Sequence, residues 1–582
     1  MKRVLKTLLI FLIIGLIGIS FTYYAGITDD GVYRCLTPSK FFVLCAVVVV
    51  LLTAAFTFLD CKFDYIGKFF AFIHQKRKRL LMLACLLAIS AAASAVIEIL
   101  LSRFVFGPMS TGGYFNKYRY FFIVAAVFVI LYVIIRVKRN DLQIENAFAV
   151  IAVAVGSVMI LSAPFAHVCW DADSHMKFDV RQSNIGAYCT QAEHDVIYVT
   201  GDYLLHNENE NNASYFEEIK DKYNDNDKYI AGQLKRNFML SHLPSSVTMS
   251  VCKFLNVPFS ARVNCGKFAN LICYVLICFF ALKKLKSGKM IMFIIALFPT
   301  SLFLAANLSY DWWVTAFIFL GMAYFLSEYQ QPDKPLTVMD SIIMCGSFVL
   351  ACLPKEVYFP LLLLPFLLKK NSYTEKHSHK KHILICIASV VVVLLAFAVE
   401  LYKAIIAGGD MRGGADVSTM GQIKFILSNP LEYTGILLKF LEQYVSFSTA
   451  KQYVTFMAYL GQGSGWTTLL CMLIAATITD KNEYDLRSSN VLIRTTSIGL
   501  FFVGLCMVAT SMYVHFTPVG LQTINGCQPR YIIPLLFPFL SVIGSAKIDI
   551  HFNKLVYNTA FISAVSLILF IDVYQKVITM ML

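Results

Sequence analysis

Two carboxylates and an imidazole lie close together in Trp170-Asp171-Ala172-Asp173-Ser174-His175, directly after a long apolar run. Carboxylates at the edge of a membrane can act as general bases or bind divalent cations. A solvated acidic turn that caps a helix has the same spacing, so both interpretations stay open. We treat Asp171, Asp173 and His175 as candidate catalytic residues. Asp171 and Asp173 would bind a Mg²⁺ or Mn²⁺ ion if one is used.

Two further ionisable residues stand at the ends of apolar runs. Asp311 follows Asn307-Leu308-Ser309-Tyr310 and begins such a run. Helix capping and the helix dipole favour an aspartate there, and a second acid facing the same cavity is the functional interpretation. Lys355 lies between two apolar runs, where a charge either snorkels to the interface or belongs to a functional site.

Arg530 is the third candidate, in Gln528-Pro529-Arg530-Tyr531 at the start of an apolar run. A guanidinium group in this position suits a phosphate, because its planar fork binds two oxygens at once. An anchor in the lipid headgroups has the same sequence signature. Arg530 is therefore a candidate phosphate ligand.

The elements that position these residues are apolar helices. The chain has 582 residues, of which 58% are hydrophobic and 15% charged, with a mean hydropathy of +0.65. A soluble chain carries about 25% charged residues, and runs of roughly 20 apolar residues span a bilayer as helices. We predict an all-α integral membrane protein with about 15 transmembrane helices. The runs are Leu8–Ser20, Phe41–Leu59, Leu80–Leu101, Tyr120–Ile135, Ala147–Ser162, Phe268–Leu282, Met290–Ala306, Trp312–Leu326, Ser341–Leu353, Val357–Leu368, Ile383–Leu401, Phe456–Ile478, Val491–Val514, Tyr531–Gly544 and Leu555–Val573.

Basic residues orient these helices. The net charge of +14 lies in short segments between apolar runs, which argues against a nucleic-acid binder. If the N-terminus is cytoplasmic, every dense basic cluster falls on the cytoplasmic side, as the positive-inside rule requires. The short run Val357–Leu368 then forms a hairpin with the run before it. The clusters lie in residues 74–79, 136–139, 283–286, 369–381 and 481–487.

Two long segments fall on the outer side in this topology, residues 164–267 and 402–455. Within them, Ile230–Leu255 and Ile423–Val445 mix apolar and basic residues at helical spacing. Such helices can lie in the interface plane with their apolar face in the lipid. All the candidate residues also fall on this outer side.

The order of these candidate residues resembles that in a family of bacterial membrane proteins, which is called domain of unknown function 2142. Asp171 to His175 looks like the family's Pro-Asp-Glu-x-x-His opening, and Asn307 to Asp311 looks like its Asn-Pro-Asp turn. Pro354 to Pro360 looks like its Lys-x-x-Tyr-x-Pro stretch, and Gln528 to Pro534 looks like its Gln-Gly-Arg-Tyr-x-x-Pro motif. The motifs occur in order over roughly residues 145–545. Ala172 and Pro529 depart from the pattern.

That family is similar in layout to the GT-C glycosyltransferases. The resemblance implies a GT-C-like core in residues 146–582, with the helices of residues 1–145 as an addition. It also implies a polyprenyl-phosphate sugar donor, a glycan or lipid-linked acceptor and an acidic base on the outer face of the plasma membrane. Asp171, Asp173, His175 and Asp311 would then be catalytic, and the lipid phosphate would bind Lys355, Arg530, Tyr531 and Gln528.

Other functions fit the same pattern. A transporter or flippase for a lipid-linked glycan also needs many helices and a polar cavity, but it predicts broken helices near the midplane and often repeated halves. A polysaccharide polymerase or ligase would depend on His175, His242, His515 and Arg530 rather than on Asp171. In a non-catalytic assembly protein, Asp171 and Asp173 would tolerate substitution.

Overall fold

A computed structural model shows that the described part of the chain consists of helices, one two-stranded sheet and the loops that connect them. The structure describes residues 64–107, 115–163, 169–184, 188–198, 220–221, 223–224, 229–231, 238–410, 413–414, 416–480, 482, 484–485, 490–543 and 553–581, with scattered positions before residue 64. The predicted helices Leu8–Ser20 and Phe41–Leu59 lie mostly outside the described residues.

The described elements before residue 300 are long apolar helices, several shorter helices and two short strands. In chain order they are α1 Tyr65–Leu101, α2 Lys117–Lys138, α3 Ile144–Ser162, α4 Ala172–Ser183, β1 Tyr188–Thr190, α5 Gln191–Tyr198, β2 Tyr229–Ala231, α6 Leu243–Phe254, α7 Phe259–Lys284 and α8 Lys289–Ala296. A π-helical turn, Ser102–Phe106, continues α1, and a 3₁₀ turn, Leu240–His242, precedes α6.

The later elements are α9 Pro299–Ala305, α10 Asp311–Tyr329, α11 Val338–Cys352, α12 His379–Ala407, α13 Thr419–Ser428, α14 Pro430–Tyr444, α15 Phe447–Val454, α16 Trp466–Thr479, α17 Val491–Phe516, α18 Ile533–Ile543 and α19 Lys554–Val573. Between them lie 3₁₀ segments at Glu356–Leu367, Ala458–Leu460 and Pro529–Ile532. The chain ends in a π-helical turn, Tyr574–Ile578, and a 3₁₀ turn, Thr579–Met581.

Side-chain caps set the start of several helices. Ser378, Ser418 and Ser446 each accept a hydrogen bond from the backbone N–H three residues later, at the starts of α12, α13 and α15. Asn553 accepts two such bonds at the start of α19. The first N–H groups of a helix have no intrahelical partner, so these caps stabilise each terminus by about 1 kcal/mol.

Seven described helical segments are long and apolar enough to cross a membrane, so a count of about 15 is not confirmed. Shorter apolar helices occur at Val338–Cys352, Glu356–Leu367, Trp466–Thr479 and Pro529–Ile543. A multi-pass helical membrane protein is the class that these lengths and compositions define. The seven are Arg77–Phe106, Lys117–Lys138, Ile144–Ser162, Phe259–Lys284, His379–Ile406, Val491–Phe516 and Lys554–Met581.

Three of the predicted helices differ from the structure. The run Met290–Ala306 is two short helices, because Pro299 begins α9 and has no N–H to continue α8. The run Phe456–Ile478 becomes α-helical only at Trp466, after a turn that includes Gly461 at φ +88°. The run Val357–Leu368 is a 3₁₀ helix, Glu356–Leu367, that contains two prolines, and its 12 residues would extend only about 24 Å.

Residue contacts divide the chain into two compact units. The first comprises Met1–Tyr132, Ile160–Asn270 and Met580–Leu582, and the second comprises Val133–Met159 and Leu271–Thr579. The boundary predicted at residue 145 separates added helices from a GT-C-like core. It divides the sequence into segments rather than into groups of contacting residues, and it stays a prediction.

The first unit contains the sheet and the short helices of segment 164–267. β1 and β2 pair antiparallel, with Cys189 opposite Ile230. Residues 229–231 are therefore a strand because they pair with β1, and the described α-helix of this segment begins at Leu243, after the 3₁₀ turn. Glu193 of α5 pairs with Lys253 of α6 at 2.7 Å and with Arg262 of α7 at 3.2 Å.

The second unit is built around wholly buried helices. All residues of α9 and all but the first of α8 are buried, as are most residues of α10. A helix that is apolar on every side lies within a core rather than at its surface. By contrast, α12 exposes large apolar side chains such as Leu384, Leu395 and Ile406, which fits contact with lipid.

Candidate functional site

Two cations converge on one carboxylate in the second unit. Lys355 Nζ lies 2.9 Å from Asp311 Oδ1, and Arg530 Nε donates to Asp311 Oδ2 at 2.6 Å. Each cation therefore takes a different oxygen of the same group. We call Asp311, Lys355, Arg530 and Tyr531 the Asp311 cluster.

Tyrosine rings surround the Lys355 ammonium group. Its nitrogen lies 3.5 Å from the centroid of the Tyr531 ring and 5.6 Å from that of Tyr310. The Tyr358 hydroxyl donates to the Tyr531 carbonyl at 2.8 Å, which fixes the backbone that carries the ring. Cation–π contact of this kind stabilises a desolvated cation by about 2 kcal/mol.

The Asp311 cluster is largely shielded from solvent. The side chains of Arg530 and Asp311 are only 3% and 10% exposed, and that of Lys355 is 13% exposed. Lys355 is therefore the more accessible of the two cations.

Irregular backbone at helix ends positions all three charges. Asp311 lies in the first turn of α10, where its N–H donates to Ser309 Oγ. Lys355 is the residue before the 3₁₀ helix Glu356–Leu367, and Arg530 lies within the 3₁₀ turn Pro529–Ile532. Charged side chains at helix ends can meet in this way without interrupting an apolar run.

Gln528 lies beside the cluster in the chain. Its carbonyl oxygen accepts a hydrogen bond from the Tyr444 hydroxyl at 2.6 Å. Its side-chain Oε1 is buried, and within the described residues no group donates to it. A buried acceptor of this kind costs free energy unless water or a ligand donates to it.

The groups next to Gln528 are neutral at pH 7. Burial raises the pKa of the Cys527 thiol to about 12, although its hydrogen bond with Tyr444 and the charge of Lys355 lower it. Burial also raises the pKa of the Tyr444 hydroxyl well above its usual value. Neither group therefore adds negative charge near the cations.

A second polar cluster lies in the first unit, on α4 and at the start of α6. His175 Nδ1 lies 3.4 Å from His242 Nε2, and His242 Nδ1 lies 3.2 Å from Asp179 Oδ2. Ser245 Oγ donates to Asp179 Oδ1 at 2.6 Å. All four residues are buried. We call His175, His242, Asp179 and Ser245 the His175 cluster.

The two predicted acids of α4 lie outside these contacts. Asp171 is the residue before α4 and has φ +54°, a left-handed conformation that aspartate tolerates better than most residues. Its side chain makes no capping hydrogen bond, so the simple capping interpretation does not apply. Asp173 is 47% exposed at its side chain and lies 3.9 Å from Lys177.

The structure thus brings together Asp311, Lys355, Arg530 and Tyr531, with Gln528 adjacent to Arg530. Sequence analysis missed Asp179 and Ser245 as partners of the histidines. Asp179 lies four residues after His175 on a helix, so helical spacing alone could have indicated it. Ser245 had no such signal, because it comes from a different helix.

A metal site has no support in these contacts. Within the ranges that the structure describes, no group of three His, Cys, Asp or Glu side chains is placed to hold a metal ion. The use of Mg²⁺ or Mn²⁺ therefore stays an untested expectation.

The fold and the cluster define a multi-pass helical membrane protein with a buried cation pair. The family model described as a predicted membrane protein, DUF2142, matches residues 204–538, which is more than half of the chain. The chain belongs to this family. The matched residues include the whole Asp311 cluster and begin after Asp171, Asp173 and His175. No curated protein and no solved structure matches the chain.

Proposed function

We propose that this protein is a membrane glycosyltransferase of the GT-C type in the plasma membrane. It moves a sugar from a polyprenyl-phosphate donor to a cell-envelope glycan or lipid-linked acceptor on the extracytoplasmic side. The anomeric configuration inverts, and Asp171 is the general base. The topology predicted from the basic clusters puts Asp171, Lys355 and Arg530 on the same side of the membrane.

The observation that carries the proposal is the pair of cations on Asp311. An anionic phosphate is attracted to two neighbouring cations in a low-dielectric site. Lys355 is partly accessible, and an ammonium group has three N–H donors of the kind that bind phosphate oxygens. The Oε1 atom of Gln528 can accept a hydrogen bond from a sugar hydroxyl.

The reaction in this proposal is a single displacement. Asp171 takes the proton of an acceptor hydroxyl, whose oxygen bonds to the anomeric carbon of the donor sugar. The bond from that carbon to the phosphate oxygen breaks, and its electron pair stays on the polyprenyl phosphate. Lys355 and Arg530 stabilise the charge that develops there, and such fixed cations are often the largest catalytic contribution.

A transfer assay tests the proposal. Purified protein in nanodiscs is given a panel of radiolabelled polyprenyl-phosphate sugars together with lipid-linked acceptors. We expect wild type to release polyprenyl phosphate and Asp171→Asn to lose transfer by at least about 100-fold, as for loss of a general base. Lys355→Met should raise the donor KM and lower kcat, because the cation binds both donor and leaving group.

Lys439→Met is the matched control, because Lys439 is an exposed lysine on α14, on the same predicted side of the membrane. It should transfer sugar like wild type. Full activity of Asp171→Asn would remove the assigned base. If wild type binds lipid-linked glycan but turns over no donor, the enzyme proposal fails and a transporter becomes the better hypothesis.

A further inference from the structure

Five charged side chains meet in the second unit, at helix ends that the basic clusters assign to the cytoplasmic side. The side chain of Glu328 is 0% exposed, and three ammonium groups lie close to its carboxylate. They are those of Lys284 at 2.9 Å, Lys334 at 2.6 Å and Lys370 at 3.0 Å. Lys284 also lies 2.9 Å from a carboxylate oxygen of Asp340. We call these five residues the Glu328 cluster.

Several segments of the chain bring the Glu328 cluster together. Lys284 is the last residue of α7, Glu328 lies in the last turn of α10, and Asp340 lies in the first turn of α11. Lys334 belongs to the loop between α10 and α11, and Lys370 follows the 3₁₀ helix that precedes α12. Basic pockets between helix ends on the cytoplasmic side are typical binding sites for the headgroups of anionic lipids.

The cluster contains three cations and two carboxylates, so one positive charge is not balanced within it. Lys370 is enclosed, because its side chain is 0% exposed and its ammonium group also donates to the Gln331 carbonyl at 2.6 Å. The ammonium group of Lys284 is shared between two carboxylates and its side chain is 18% exposed. The side chain of Lys334 is 43% exposed, so the unbalanced charge is most accessible there.

Exposed apolar side chains lie next to the cluster. Met339 and Ile342 of α11, close to Asp340 in the chain, are 62% and 48% exposed, which fits contact with acyl chains. Lys283 and Lys286 are exposed beside Lys284 at the end of α7 and add to the positive potential. A phospholipid offers the two complementary chemistries together, because it joins a phosphate anion to apolar chains.

We propose that the Glu328 cluster binds the phosphodiester group of an anionic phospholipid in the predicted cytoplasmic leaflet. The ammonium group of Lys334 donates to the phosphate oxygens and keeps its contact with Glu328, because an ammonium group has three N–H donors. Met339 and Ile342 contact the acyl chains. This inference goes beyond sugar transfer, since the predicted topology puts the Asp311 cluster on the opposite side of the membrane.

Native mass spectrometry of the full chain tests the site. Protein in detergent is titrated with dioleoyl phosphatidylglycerol, which is anionic, and separately with zwitterionic dioleoyl phosphatidylcholine. We expect wild type to bind phosphatidylglycerol more tightly than phosphatidylcholine. Lys334→Gln should weaken phosphatidylglycerol binding by about five-fold, the effect of one lysine at an anionic surface, and leave phosphatidylcholine binding unchanged. Equal phosphatidylglycerol binding by wild type and Lys334→Gln would overturn the proposal.

Asp340→Asn gives a prediction of the opposite sign. It removes a carboxylate and leaves a second positive charge unbalanced, so phosphatidylglycerol should bind more tightly than to wild type. General damage to the fold would instead weaken the binding of both lipids. Weaker binding of phosphatidylglycerol alone would contradict the electrostatic argument.

Lys380→Gln is the matched control, because Lys380 is an exposed lysine on the same predicted side of the membrane, at the start of α12 and outside the cluster. It should bind phosphatidylglycerol like wild type. A loss equal to that of Lys334→Gln would show that the lipid responds to the overall charge of this side rather than to a site. Glycerol 3-phosphate at the same concentration should not displace the lipid, and full displacement would assign the site to a soluble phosphate.

Discussion

Asp311 carries one negative charge between two cations, so its substitution has a predictable cost. Asp311→Asn removes the carboxylate that both Lys355 and Arg530 contact. Removing one member of a buried ion pair costs about 3 kcal/mol, because a desolvated charge remains. We expect this loss in the free energy of unfolding, measured by thermal or denaturant unfolding in detergent.

Asp416→Asn is the control for that measurement. Asp416 is exposed in the loop before α13. Its substitution should change stability by less than about 0.5 kcal/mol. Equal stabilities of the Asp311 and Asp416 variants would show that the two cations find other partners in the first variant.

His377 gives a prediction for pH. Burial, together with the charges of His382 and Lys381, holds the pKa of His377 below 6.5. Its Nε2 atom lies 2.9 Å from Ser341 Oγ, and within the described residues its buried Nδ1 atom has no hydrogen-bond partner. The folded state therefore favours neutral imidazole, whereas the unfolded chain binds a proton below pH 6.5.

Stability should accordingly fall as pH decreases from 6.5 toward the lower folded-state pKa of His377. At higher pH the group is neutral in both states, and its contribution is fully present. We expect the unfolding temperature of wild type to decrease over this window more steeply than that of His377→Gln. Parallel pH profiles of the two proteins would assign the decrease to other groups.

At the scale of elements, a glycine-rich loop packs against the end of α17. The sequence pattern Gly408-Gly409 and Gly413-Gly414 indicates a flexible loop. In the structure this loop is instead attached to α17, because the Asp410 N–H donates to the His515 carbonyl at 2.9 Å. A Cβ atom on Gly413 would overlap the Phe516 carbonyl oxygen, so the close approach of the two backbones requires glycine there.

Gly413→Ala should therefore lower the free energy of unfolding by about 1–3 kcal/mol, as other overpacked sites do. It should also increase proteolysis of the loop between α12 and α13. Gly435→Ala is the matched control on α14, where a Cβ atom meets nothing within 4 Å. Alanine in an open helical position should raise stability by about 0.5–1 kcal/mol. Equal effects of the two substitutions would contradict the packing argument.

At the scale of the whole molecule, the positive-inside pattern predicts the orientation of the chain. A cytoplasmic reporter such as green fluorescent protein, fused after Lys286, should fluoresce, because this residue follows the basic end of α7. Alkaline phosphatase, which folds only outside the cytoplasm, should be active when fused after Gly414. Green fluorescent protein fused after Gly414 should not fluoresce, and alkaline phosphatase fused after Lys286 should be inactive. The reverse result would place the Asp311 cluster on the cytoplasmic side.

The sequence by itself determined the class of the protein and its family. Apolar runs of the length of a bilayer must be helices, because lipid offers no partner for backbone N–H and carbonyl groups. Four short motifs in order were sufficient to indicate the family that the comparison confirmed. Apolar runs alone do not give the number of spans. A single proline, Pro299, divides the run Met290–Ala306 into two short helices.

Only the tertiary structure decided which polar residues meet. Arg530 contacts Asp311 across 219 positions of sequence, and Ser245 reaches Asp179 across 66. Periodicity reports which face of one helix a residue occupies, but it does not report which other helix lies opposite. Long-range contacts depend on the packing of many apolar side chains at once, so the pairing of Lys355 and Arg530 on one carboxylate could be seen only in the folded chain.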